Sequence, residues 1–193
     1  MNFTTVYVGF LVVSSIFRMK SLIWAYSKVE DEEPVETKKT ITYMIMLFLY
    51  ITIFLCAPLE YFFIDYPKEV NLLVSLIGFL IYVSIVPLRR WAVESLGRFM
   101  SPDIEIKKNH QLIKSGPYRY IRHPLALCII LEAVSLCLIP NSYFSLTLAL
   151  VIFVPFMIVR IHIEEKALIG KFGDEYLSYI KEIGGLFPKI KIR

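Results

Sequence analysis

The sequence predicts an all-α, polytopic membrane protein with five transmembrane helices, and two observations lead to that reading. Of its 193 residues, 56% are hydrophobic, against roughly 45–50% in soluble domains. The apolar residues are gathered into runs of about the 20 residues that a spanning helix needs, with charged loops between them. The second observation is the placement of the basic residues. Twenty of the 21 Lys and Arg fall within 18–39, 89–122 and 160–193, segments that a five-span chain puts on one face of the bilayer. The positive-inside rule makes that face cytoplasmic, with the N-terminus outside and the C-terminus in the cytoplasm. Residues 1–193 are read as a single membrane domain.

The first span covers 3–24. Arg18 and Lys20 lie near its end, and their stems either snorkel to the headgroups or the span stops at Phe17. No basic n-region or small-residue cleavage site precedes it, so it is expected to be retained. The acidic run from Glu30 to Glu36, with Pro34, reads as a solvated loop. The second span covers 41–59, with Tyr61, Phe62, Phe63 and Tyr66 as an aromatic belt at its outer end. The third covers 70–88. A long connector follows, helical to Leu96, stopped by Gly97, and broken into extended pieces by Pro102, Asn109, Gly116 and Pro117. Connectors this long with little structure of their own are usually functional or disordered, and the apolar content of this one argues for order.

The fourth span, 121–139, starts in Arg122-His123-Pro124 and carries Glu132. A carboxylate at that depth must be paired or protonated, and Tyr43, Tyr50 and Tyr82 are candidate hydroxyl partners. The fifth span, 142–161, contains Pro155, which membrane helices tolerate where neighbours re-satisfy the freed carbonyl. The tail is expected to continue as helix to Phe172 and to stop at Gly173. Asp174 then caps a short amphipathic helix with Tyr176, Leu177 and Ile180 on one face, and Gly184-Gly185 ends it.

Several chemistries are excluded. The net charge of +4 follows from the topological bias and implies no nucleic acid. Cys56, Cys128 and Cys137 lie in apolar runs and form neither a disulfide framework nor a metal spacing. With three histidines and no His-x-x-x-His or Cys-x-x-Cys pair, no metal is expected. A Gly-x-Gly-x-x-Gly turn, a Walker loop and a serine-hydrolase elbow are all missing. What remains is a set of charged groups flanking the last two spans. Arg160 and Glu164 are four apart and share a helix face, as a simple ion pair or as a cation and an anion at the mouth of a pocket. Arg122 and His123 either anchor the fourth span to headgroups or join that pocket.

In order, the last half of the chain reads Arg89-Arg90-Trp91, Leu96-Gly97-Arg98-Phe99, His110-x-Leu112-Ile113-x-x-Gly116-x-Tyr118, Arg122-His123-Pro124, Arg160-x-x-x-Glu164-Glu165, Phe172-Gly173-x-Glu175-Tyr176-x-x-Tyr179 and Leu186-Phe187-Pro188. This series, between about Leu88 and Lys189, resembles the isoprenylcysteine carboxyl methyltransferase family of integral membrane enzymes. The resemblance implies a helical bundle whose connector (89–126) and tail (160–189) close a pocket for S-adenosyl-L-methionine. By motif, the cofactor would meet His110, Gln111, Leu112, Ile113, Tyr118, His123, Pro124, Leu125, Ala126 and Glu164. Arg160 would be the catalytic and substrate-binding residue, facing the carboxylate of a lipophilic, possibly prenylated, methyl acceptor that enters from the lipid bilayer. The family string continues Arg-His-Pro-x-Tyr, and Ala126 stands here in place of that tyrosine. Three alternatives stay open: a methyltransferase acting on phospholipid amines or thiols, a sterol-reductase-like enzyme, and a non-catalytic membrane scaffold. An amine or thiol acceptor would need a base, for which Glu132 and His162 are candidates.

Overall fold

A computed structural model describes residues 2–27, 34–37, 41–64, 69–99, 105–107 and 111–189. Helix α1 is Phe3–Tyr26, α2 Ile41–Phe63, α3 Leu72–Leu96, α4 Pro124–Leu138, α5 Tyr143–Leu148, α6 Val154–Phe172 and α7 Asp174–Glu182. Four helical stretches are long and apolar enough to cross a membrane: Phe3–Ser21, α2, α3, and Tyr143–Phe172, which joins α5 to α6.

The helix ends expected at Gly97 and Gly173 fall there, whereas the fourth span differs for a physical reason. Helix α3 runs unbroken through Pro87 to Leu96, so the third span and the start of the connector are one rod, ended by Gly97 at φ 51°. The α5–α6 stretch also continues past 161, to Phe172. A π-helical turn at Ala149–Phe153 lies just ahead of Pro155, where a proline ring would otherwise meet the preceding turn. The expected fourth span is shorter than 121–139. Proline disfavours helix in the residue before it, His123 is accordingly non-helical, and α4 begins at Pro124. Its 15 residues extend about 22 Å, less than the ~30 Å hydrocarbon core. Neighbouring helices cover much of it: Cys128, Glu132, Ala133, Ser135, Leu136 and Cys137 are all buried.

The acidic loop is also corrected. Pro34–Thr37 (β1) pairs antiparallel with Glu105–Lys107 (β2) of the connector, so a two-stranded ribbon accompanies the helices. Residues 30–33 of that run, and Tyr66, Pro102 and Asn109, lie outside the described residues. In α7, Asp174 is the first helical residue and makes no capping bond. The buried positions there are Tyr176 and Tyr179, while Leu177 is exposed.

The core is made by α2, α4 and the α5–α6 rod: Ile53, Ala57, Ile130, Ala133, Cys137, Ala149, Phe153 and Met157 pack together. Small residues let the helices approach closely, as is usual in membrane bundles. At one end, neutral polar groups tie the turns. Asn71 caps α3 by accepting from the N–H groups of Leu73 and Val74. Asn141, at φ 58° in the α4–α5 turn, accepts from the Asn71 N–H (2.9 Å) and donates to Ser75 Oγ (2.8 Å). The buried Glu60 carboxylate of α2 accepts from the N–H groups of Phe144 (3.0 Å) and Ser145 (2.8 Å), capping α5 from another helix.

Gly78 marks a close approach of α3 to the C-terminal end of α4. A Cβ there would lie 2.8 Å from Leu138 Cβ and 3.0 Å from the Ile139 nitrogen. Gly78→Val is therefore expected to destabilise the bundle by about 1–3 kcal/mol, read as a lower thermal unfolding midpoint of the detergent-purified protein. An unchanged midpoint would show that the two helices do not meet at this position.

Candidate functional site

The connector returns to the bundle through Gly116. At φ 62° it holds a backbone that other residues avoid, and a Cβ there would collide with Ser95 Oγ at 2.0 Å. The glycine thus lets the 116–119 turn press against the end of α3, placing Tyr118 in the interior. Residues 121–123 are non-helical, and the chain tail lies alongside them. The Arg122 N–H donates to the Gly184 carbonyl (2.9 Å) and the His123 N–H to the Gly185 carbonyl (3.1 Å).

Glu165 fastens this arrangement. The Arg122 guanidinium donates to its Oε1 through Nε (2.9 Å) and Nη2 (2.7 Å), and also to the Ile183 carbonyl. His123 Nε2 lies 2.9 Å from the same oxygen. Arg122 and His123 therefore hold the protein together rather than anchoring to headgroups. Glu164, the next residue, points elsewhere, with its carboxylate 3.8 Å from His123 Nδ1. The Tyr179 hydroxyl donates to the Tyr118 carbonyl. Burial pushes the Tyr118 and Tyr176 phenols above their ordinary range and Tyr179 up to about 12, so all three are protonated donors near neutral pH.

Above this junction a cavity of about 800 Å³ opens among α1, α2, α3, α4, α6, α7 and the connector. Gln111, Leu112, Ile113 and Tyr118 of the connector line it, as do His123, Pro124, Leu125 and Ala126 at the start of α4 and Arg160 and Glu164 on α6. Thus ten of the eleven site residues singled out in the sequence face one space. The eleventh, His110, lies outside the described residues. Arg160 is buried; its Nη1 donates to Thr42 Oγ1 (3.1 Å), and its guanidinium carbon sits 5.8 Å from the Tyr43 ring centroid.

Sequence reasoning missed the partners of Glu132. Its carboxylate, in a residue only 2% exposed, accepts from the Arg18 guanidinium of α1 and from Arg89 Nη2 of α3 at 2.6 Å. Hydroxyl partners were the expectation. Arg18 turns inward instead of snorkelling outward, and its guanidinium carbon lies 5.1 Å from the Tyr50 ring centroid. A mid-span carboxylate in a chain with one arginine inside its first span was the available signal. His162 is exposed, with Nδ1 2.8 Å from the Ile158 carbonyl, and lies outside the cavity. Among the described residues no cluster of three His, Cys, Asp or Glu could hold a metal ion.

Helices able to cross a bilayer, arranged around an internal cavity with buried arginines and a carboxylate in its wall, define an integral membrane protein with a site built into the bundle. Residues 76–170 match the model of the isoprenylcysteine carboxyl methyltransferase (ICMT) family. Similar proteins include the uncharacterized protein YpbQ of Bacillus subtilis (strain 168), 32% identical over 88 residues, which are 46% of this chain and 52% of the relative. The protein-S-isoprenylcysteine O-methyltransferase of Saccharomyces cerevisiae is 31% identical over 120 residues, 61% of this chain and 50% of that protein. The Schizosaccharomyces pombe protein of the same name is 30% identical over 105 residues, covering 53% and 44%. The chain thus spans about half the length of the curated relatives it matches. Among solved structures, the eukaryotic intramembrane Ras methyltransferase ICMT superposes with a TM-score of 0.58 at 23% identity, over 81% of this chain and 55% of that one. This likeness establishes the fold.

Removing Glu165 leaves Arg122 and His123 without their shared acceptor. Glu165→Ala is expected to loosen residues 183–189 from 121–123, speeding tryptic cleavage after Lys181 and Lys189 by about tenfold or more, the change that about 1.4 kcal/mol of lost tail docking produces. Unchanged cleavage in a folded variant would show that the carboxylate does not hold the tail.

Proposed function

We propose that this chain transfers a methyl group from S-adenosyl-L-methionine to a lipophilic acceptor, the carboxylate of a prenylated cysteine or a similar acid. The observation that carries the reading is the convergence of ten separately placed residues, including Arg160 and Glu164, on one cavity that also reaches between the apolar helices. It is supported by the match of residues 76–170 to the ICMT family model and by the names of the two yeast relatives. The proposal includes five crossings, with α4 as the short, largely enclosed fourth, and the connector and tail closing the pocket on the cytoplasmic side. The N-terminus is then outside and the C-terminus in the cytoplasm.

The lining suits the cofactor. Glu164, partly exposed to the cavity, offers a carboxylate to its cationic portion, and the protonated phenols of Tyr118 and Tyr176 combine aromatic faces with donors. S-adenosyl-L-methionine, when bound, supplies an electrophilic methyl group on sulfur. The rest is done by the protein. A carboxylate acceptor is ionised at neutral pH and needs no general base; with the methyl donor bound, the products would be a methyl ester and S-adenosylhomocysteine. Arg160 orients that carboxylate. Leu112, Ile113 and Leu125 exclude water, which leaves the nucleophile less solvated. Alignment of the reacting groups is the main source of acceleration.

The candidate bases for a proton-bearing acceptor fare less well. Glu132 is already engaged by two arginines, and His162 is outside the cavity. An acid is therefore the acceptor class the site suits best.

Calorimetry of S-adenosylhomocysteine with the detergent-purified chain tests the cofactor assignment. Micromolar binding is expected, weakened about tenfold or more in Glu164→Ala, the scale of a lost charged contact. No binding to a folded sample would overturn the assignment and favour a non-catalytic scaffold. Arg160 is tested separately. In methyl transfer to a prenylcysteine analogue, Arg160→Ala is expected to raise the acceptor KM or lower kcat by about tenfold or more, leaving S-adenosylhomocysteine affinity unchanged. If both parameters stay at their wild-type values, Arg160 does not meet the acceptor.

A further inference from the structure

We propose that the space between α1 and α3 is a binding site for the phosphate of an anionic phospholipid headgroup. This second cavity, of about 370 Å³, is lined by Arg18, Lys20, Arg89 and Arg90, with Glu132 the one carboxylate in its wall among the described residues. Four cations facing one anion leave an excess of positive charge between two membrane helices. Glu132 is divided between Arg18 and Arg89. Arg90 donates to Glu94 through Nε (2.9 Å) while remaining largely exposed. No carboxylate among the described residues engages Lys20, which is exposed. Arg18 and Arg89, both partly buried, share a single carboxylate, and the exposed Lys20 adds a further positive charge at the mouth of the space, so the site suits an anion.

The surroundings point to a lipid as its source. Phe17, Trp24, Ile85 and Val86 complete the wall. The outward faces of both helices just beyond it are apolar, with Val13 of α1 and Leu80 of α3 largely exposed. Trp24 lies beneath Arg90, with the guanidinium carbon 5.8 Å from its ring centroid, an amphipathic pairing typical of the headgroup level. A headgroup fits a space of this size, and its acyl chains would follow the apolar faces. Basic pockets between membrane helices bind acidic headgroups by this combination of charge and depth. Guanidinium groups offer a phosphate two parallel donors.

The site also bears on the main cavity. Arg18, Ser21, Tyr82, Arg89 and Glu132 line both spaces. A phosphate bound on one side therefore shares with Glu132 the donors that hold the wall of the other. None of this depends on methyl transfer.

The test uses the full chain in a neutral detergent, with phosphatidylglycerol, phosphatidylcholine and inorganic phosphate as probes, read by native mass spectrometry and thermal unfolding. Phosphatidylglycerol adducts are expected to persist and to raise the unfolding midpoint, with little effect from phosphatidylcholine. Replacing Lys20 and Arg90 together by Gln should weaken the phosphatidylglycerol effect about tenfold or more, since each cation near a headgroup contributes appreciably. Lys166→Gln with Lys181→Gln, on the opposite helices, should leave it intact. If the double variant does not fold, Lys20→Gln alone, at a side chain with no carboxylate partner, should still weaken retention measurably. Equal retention of the two lipids, or retention indifferent to Lys20, would overturn the proposal. Protection by inorganic phosphate matching that by phosphatidylglycerol would overturn the lipid assignment in favour of a free phosphate compound.

Discussion

A carboxylate inside a membrane bundle must be given donors or a cation, and the architecture turns on how Glu132 is answered. Its partners come from different helices, Arg18 from α1 and Arg89 from α3. Leaving any one of the three unpaired costs about 3–5 kcal/mol in a buried setting, so the cluster holds α1, α3 and α4 in one relation. This matters most for α1. At its other end it is held by aromatic side chains, Tyr7 against Tyr61 and Phe10 against Tyr82, each pair with ring centroids 5.1 Å apart. Such long side chains keep the first helix at a distance. The space left among α1, α2 and α4 is part of the large cavity, lined there by Ser14, Tyr50 and Tyr82. A tighter, purely apolar seam would have closed it.

The two ends of the bundle are secured by different chemistry. At the α2–α5 end, Asn71, Asn141 and Glu60 satisfy helix termini across helices, which fixes the turns and leaves little room. At the opposite end an ion pair and backbone hydrogen bonds bridge segments far apart in sequence: Arg122 to Glu165 of α6, and residues 121–123 to 184–185. That division suits a molecule with a rigid closed end and a chemically furnished open one.

How much of this was legible in the sequence follows from the range of each interaction. Hydropathy is local and cumulative, so α1, α2, α3 and the α5–α6 rod were readable as apolar runs. Their ends were less so. Pro87 does not interrupt α3, and Pro124 starts α4 later than the apolar run suggests, because a proline's effect depends on which neighbours re-satisfy the backbone. The β1–β2 pairing was invisible, since neither strand carries a pattern of its own and each is ordered by the other. Arg18 was misjudged for the same reason: its partner lies 114 residues away, and no spacing rule reaches that far. The cavity residues were named through motif resemblance. The periodicity of α6 could separate Glu164 from Glu165 by about 100°, but only the folded chain shows that the second of them grips Arg122.

The placement of Arg160 bears on the chemistry proposed for it. A guanidinium that neutralised an acceptor carboxylate completely would stabilise the ground state, in which the full negative charge resides, more than a transition state in which that charge is being consumed. Binding would improve while the barrier rose. In this protein the guanidinium is not free to do so. Its Nη1 is given to Thr42, and Tyr43 lies near its face, so part of its capacity is spent within the protein and its plane is held. A cation positioned in this way can orient a carboxylate without enclosing it. Tightening the grip of Arg160 by removing the Thr42 hydroxyl would then favour acceptor affinity over turnover, the opposite trade from deleting the arginine itself.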